Sequence, residues 1–289
     1  MKAGLVAAIA ATMLYNLAVV VQKTQAEQVD AGGIAILAAL WRRPVWLLGI
    51  AIQTLGFGLH SFALTQASVA VVQPVIASGI AFIVIFAALV LGERPAAREI
   101  VGMTMAVLGA TVLAIGVGEP PTMREVPQRE LALSVTAAGA LIGGLLRAAS
   151  ADRVVSTGLR AVMIGCAAGV GQGMSDAMNR LAGAWLSPSH GWAPPREIGL
   201  VAVFLLVAFG VQGLVCAQTG FRQFRANTVV PCMSTMQLLI PMMVATILYG
   251  QALPEGRAMS VWAAALALTL AGVWVLGSSA RVAGHLGAR

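Results

Sequence analysis

Ile198-Gly199-Leu200-Val201-Ala202-Val203-Phe204-Leu205-Leu206-Val207-Ala208-Phe209-Gly210-Val211 continues through Thr219 without a charged side chain. A helix rises ~1.5 Å per residue, so a run from 198 to 219 crosses the ~30 Å hydrocarbon core of a bilayer. Comparable runs lie near 3–22, 45–65, 69–92, 99–118, 131–150, 159–184, 227–250 and 258–278. The run 31–41 is apolar but short, bounded by Asp30 and Arg42-Arg43. It either recruits its flanks to cross or re-enters on one side.

Composition agrees. Apolar residues make up 59% of the 289-residue chain and charged residues 10%, against roughly 25% charged in a soluble domain. Mean hydropathy is +0.88. So few charges cannot cover a soluble globule, whereas lipid tails accept an apolar exterior. The net charge of +7 does not point to nucleic acid, because the basic residues sit singly or in pairs between apolar runs. Membrane topology accounts for that placement.

Other chemistry finds no foothold. Cys166, Cys216 and Cys232 stand apart in apolar segments and read as small buried residues. No cofactor is expected. Phosphate loop, zinc-helix and nucleophile-elbow patterns are missing from the sequence, so neither an enzyme nor an ATP-driven pump is predicted. The run Ala3–Val21 is longer than a signal-peptide core and carries Tyr15 and Asn16; it reads as a retained first helix.

The layout suggests duplication. Val69–Gly92 carries Pro74 early and ends Leu91-Gly92-Glu93; Asn227–Gly250 carries Pro231 early and ends Tyr249-Gly250-Gln251. The expectation is an all-α integral membrane protein of about ten transmembrane helices. They would form two inverted five-helix repeats, 1–120 and 131–280, with a central link 121–130 and a cytoplasmic tail 281–289. Inverted repeats are a common architecture of secondary transporters. With both termini cytoplasmic in the plasma (inner) membrane, twelve of the eighteen Lys and Arg fall inside, as topology rules require. Lys23 then lies outside. If 31–41 fails to span, only Lys2 and Lys23 exchange sides and the count is unchanged.

Residues 41–118 carry a resemblance. They read Trp41-Arg42-Arg43-Pro44-Val45-Trp46, His60-Ser61-Phe62-Ala63-Leu64, Val71-Val72-Gln73-Pro74 and Leu91-Gly92-Glu93-Arg94, closing on Gly102 and Gly109. This resembles the EamA-like branch of the drug/metabolite transporter superfamily, in a bacterial subgroup related to NIPA-type magnesium transporters. The second half departs from it, reading Gly250-Gln251-Ala252 where Gly-Glu-Arg is expected. The resemblance implies ten helices, cytoplasmic termini and alternating access, and leaves the substrate open.

Asp176 is the sharpest candidate, the one acid that falls neither in a connection nor at a helix end. A carboxylate in hydrocarbon is costly and usually faces the bundle interior, where it binds a proton or cation; an i,i+4 pair with Arg180 is the structural alternative. Gln172 and Asn179 lie one turn away. Tyr15, Asn16, His60, Gln73 and Gln237 are further substrate or coupling candidates. Pro74 and Pro231, with Pro241, free backbone carbonyls inside spans. Helices 1, 3, 4, 7 and 9 would frame a central site. The expected function is secondary transport of a small metabolite or solute. Alternatives are a Mg²⁺ or divalent-cation permease using Asp176, a lipid-linked sugar flippase, or a non-transporting membrane partner. Beyond bilayer and solute, a homodimer is a possible partner state.

Overall fold

The structure, a computed structural model, describes residues 2–66, 75–76, 79–92, 95–116, 127–151, 156–186, 194–249 and 256–286. Gln73 and Pro74 fall outside them. The described residues form helices without a strand: α1 (Lys2–Ala26), α2 (Ala35–Leu40), α3 (Pro44–Gln66), α4 (Ile80–Val90) and α5 (Ala97–Gly116). After the central link come α6 (Gln128–Ala149), α7 (Thr157–Leu186), α8 (Arg196–Gln223), α9 (Ala226–Tyr249) and α10 (Arg257–Leu286).

Among the described residues five stretches, in α1, α6, α8, α9 and α10, are long and apolar enough to cross a membrane. The exterior is apolar: Leu89 is 77% exposed, and Phe204 and Trp274 each 69%. Such a surface is stable in lipid, not in water. The chain is therefore a multi-pass, all-α membrane protein. Helix α7 sits at the centre, packed by α6, α8, α9 and α10. Its lower hydropathy follows from that place, since Gly165, Gly169, Gly171 and Gly173 trade bulk for close approach.

Helix directions come from contacts. A Cβ on Gly49 would lie 2.8 Å from the Gln22 side chain, and one on Gly56 would meet Leu14 and Tyr15 at 3.3 Å. Ala63 clusters with Ala7 and Ala8. As α3 advances, its neighbours on α1 recede, so the two helices are antiparallel. Likewise α7 and α8 are antiparallel: Gly171 abuts Gly213, and Ser175 Oγ donates to the Leu206 carbonyl at 2.9 Å. Helices α7 and α9 are parallel, Gly165 meeting Val229, Gly169 Met233 and Gly173 Gln237. Helices α5 and α10 are antiparallel, with Gly102 against Leu276 and Gly109 against Ala265.

These directions correct the expected topology. A span between α1 and α3 would make them parallel, and they are not. Helix α2 has six residues, ~9 Å at helical rise. It folds back at one end of the bundle, where Ile36 and Leu40 pack with Trp46 and Val29. Among the described residues the short run neither recruits its flanks nor spans, so α2 adds no crossing between α1 and α3. Lys23 changes ends with it. Its ammonium reaches the Phe221 and Phe224 carbonyls at the α8–α9 turn, and Arg225 there pairs with Glu99 at the start of α5. Because α10 runs against α5, its C-terminal end also lies at this α8–α9 end, opposite the start of α1. The start of α1 and the end of α10 therefore lie at opposite ends of the bundle, whereas the expected topology puts them at one.

Local chemistry sets several boundaries. Gly92 follows α4 with φ +67°, a left-handed position that glycine takes without steric cost. At the start of α5, the Ala96 N–H donates to Glu99 Oε2 at 3.0 Å, the backward half of a capping box.

Candidate functional site

Helix α7 carries Asp176 about two thirds of the way along its length, beside the parallel helix α9. Gln237 Nε2 donates to Asp176 Oδ2 at 2.9 Å. The bond rests on Gly173, whose missing side chain lets Gln237 and Ile240 approach: a Cβ there would lie 2.9 Å from Ile240 Cβ and 3.3 Å from Gln237 Cα. Asp176 is exposed, as is its bond to Gln237.

Helix α1 faces this carboxylate. Tyr15 lies near enough to feel the charge of Asp176. Its hydroxyl makes a long contact with His60 Nδ1, 3.5 Å, and the rings meet edge-on with centroids 6.2 Å apart. His60 Nε2 is buried with no hydrogen-bond partner among the described residues. Four candidates, Tyr15, His60, Asp176 and Gln237, thus gather from α1, α3, α7 and α9.

Other candidates lie elsewhere. Asn16 Nδ2 donates to the Thr12 carbonyl at 2.8 Å and lies against Gly79 at the α1–α4 contact, a packing role. Gln172 packs on Gly213 of α8. Asn179 is exposed, and no hydrogen bond joins it to Asp176 among the described contacts. The Arg180 side chain is outside the described ones, as are Gln73 and Pro74. Pro231 is buried near the start of α9, six residues before Gln237.

Pro241, rather than Pro231, lies one turn beyond the residue bonded to Asp176. Proline has no N–H to offer the carbonyl four residues earlier, and that carbonyl is Gln237's. The residue that holds Asp176 therefore also presents a backbone oxygen without its helical donor. The signal was present in the sequence as the spacing 237 to 241, but it gained meaning only once Gln237 was placed beside Asp176.

Chemically the site offers one carboxylate, amide and carbonyl oxygens, a phenol and an imidazole. It suits a proton or a cation that enters and leaves. Among the described residues no three His, Cys, Asp or Glu converge as a metal cage. Two clefts form elsewhere, near the α8–α9 end. One of about 580 Å³ is lined by Gly144, Arg147 and Ser150. The other, about 330 Å³, is lined by Ile34, Leu146, Gln212 and Cys216. Neither includes Asp176. No family model, curated protein or solved structure matches the chain.

Proposed function

We propose that this protein is a secondary transporter that moves a small solute by alternating access, with Asp176 as the group that binds and releases the coupling proton or cation. The observation that carries the reading is the Asp176–Gln237 bond between two central helices, facing Tyr15 and His60, in an apolar bundle. A carboxylate kept there at a cost of several kcal/mol serves no packing need that a leucine would not serve better.

The helix directions support a duplicated, inverted design of a different size from the one expected. Helices α1, α3, α4 and α5 correspond to α7, α8, α9 and α10, with α2 as a connection and α6 as an addition. The antiparallel pair α1/α3 matches α7/α8. The parallel pair α1/α4, in which Gly79 lies against Thr12 and Asn16, matches α7/α9. Tyr15 and Asp176 then occupy corresponding helices, and the site sits between halves, as in inverted-repeat transporters. This arrangement keeps the likeness to the drug/metabolite transporter superfamily as part of the proposal. Among the described residues, nine Lys and Arg lie toward the α8–α9 end and five toward the other. That end is cytoplasmic by the positive-inside rule, with the start of α1 on the outer side.

A divalent-cation permease is the second reading, favoured by the oxygens of Asp176 and Gln237, the latter's carbonyl freed by Pro241. Mg²⁺ keeps several waters and needs few protein ligands. Proteoliposomes containing Mg²⁺ and H⁺ dyes separate the two, with wild type compared against Asp176→Asn. Mg²⁺ entry lost in the variant establishes the permease. Proton movement that depends on added solute and is lost in the variant establishes coupled solute transport. Unchanged fluxes in the variant remove Asp176 from either role.

A further inference from the structure

From the site toward the α8–α9 end, α1 presents Tyr15, then Gln22 seven residues on, two helical turns or ~10 Å along the same face. Antiparallel α3 answers with His60 and then Gln53, seven residues back. Gln22 Nε2 donates to Gln53 Oε1 at 2.7 Å, and Gln218 Nε2 of α8 donates to Gln22 Oε1 at 2.7 Å. Gln22 is 2% exposed and Gln218 0%. These amides form a chain joining α1 and α3 to α8, with Gln53 exposed at one end and the buried Gln218 Oε1 at the other without a partner among the described residues.

A charged layer lies just beyond. Lys23 Nζ reaches Glu27 Oε1 at 2.5 Å and the carbonyls of Phe221 and Phe224 at 2.9 and 2.7 Å. Three donors meet three acceptors, which is what a buried ammonium requires. The two carbonyls belong to the C-terminal turn of α8, which favours a cation. Alongside, Arg225 Nη1 donates to the buried Glu99 Oε1 at 3.0 Å and Oε2 at 3.3 Å, and at the surface Arg222 pairs with the fully exposed Asp30 at 2.8 Å.

We propose that these two layers are the gate on the α8–α9 side of the Asp176 site, closed in this structure, and that the site opens to that side when they part. The inference rests on the transporter reading. A static helix contact gains little from buried ion pairs, because apolar packing of the same volume is often as stable. The groups used here are ones that water re-solvates when the contact parts. An apolar seal would lose its burial energy on opening. The layers also join elements assigned to opposite halves, α1 and α3 to α8, and α5 to the α8–α9 turn, where rocking of halves must break contact.

The test uses Val19→Cys as reporter, since Val19 lies on α1 between Tyr15 and Gln22 and the native cysteines are buried. Membrane-impermeant maleimide is applied from the α8–α9 side of full-length protein in oriented vesicles. Glu99→Gln removes the charge while keeping an amide able to cap α5, and Gln218→Leu breaks the amide layer without an unpaired charge. With the protein monodisperse, labelling rises about tenfold in either variant, the response of a closed state made less populated. The swap Glu99→Arg with Arg225→Glu restores slow labelling. Rates unchanged in both single variants, or fast labelling before any change, overturn the gate. Solute flux is measured separately, so transport without a labelling response defeats the gate alone. A labelling response without flux defeats the transporter reading on which the gate's role rests.

Discussion

Asp176 and Gln237 stand 61 residues apart in sequence and 2.9 Å apart in space. At this scale the proposed transport rests on the Asp176 carboxylate and the Gln237 amide bonded to it. We expect Asp176→Asn to abolish solute-coupled uptake in proteoliposomes while leaving the protein folded in detergent. Uptake retained with its pH dependence unaltered counts against the assignment. Gln237→Leu removes a hydrogen bond to a charged group, worth ~1.5–3 kcal/mol, so apparent affinity should weaken by about ten- to hundredfold. A second residue-level expectation concerns packing. A Cβ on Gly272 would collide with the Ala106 backbone and the Gly102 carbonyl, whereas Gly139 meets nothing within 4 Å. Gly272→Ala should therefore lower stability by ~1–3 kcal/mol as overpacking does, and Gly139→Ala should not lower it. Thermal unfolding in detergent compares them.

The elements show why these residues meet. Helix α9 lies parallel to α7 through a glycine ladder, and Pro241 leaves its Gln237 carbonyl without a helical donor. Pro241→Ala returns that donor and removes the ring's clash with the preceding turn, interior proline costing ~3 kcal/mol in a helix. A higher unfolding temperature with slower uptake is the expected pair of outcomes. Uptake as fast as wild type would show the freed carbonyl to be idle. Helices α1 and α3 carry polar pairs at matched seven-residue spacing, Tyr15 with His60 and Gln22 with Gln53. Each partner was recognisable in the sequence as a polar group in a span. Their pairing was not, because it needs the antiparallel register that glycines 49 and 56 impose.

For the whole molecule, the decisive matter is how many times the chain crosses. An α1 antiparallel to α3 places the start of α1 and the end of α10 at opposite ends of the bundle. Because α2 folds back, Ile34→Cys and Trp41→Cys, which flank it and are both exposed, should react with impermeant maleimide from the same side of the membrane. Labelling from opposite sides would restore a spanning α2. Much was decided by the sequence alone: that the chain is helical and lives in a bilayer, where most helices begin and end, and that Asp176 is out of place. These follow from local quantities, the transfer energy of consecutive side chains and turn residues such as Gly92. Tertiary structure alone decided that α2 folds back, that Lys23 joins Arg222 and Arg225, and that Asp176 meets Gln237. A short apolar run has nearly the same hydropathy whether it crosses or turns back. Its fate is set by which distant helix face its neighbours can pack against, and close approach of that kind leaves no mark within either segment read by itself.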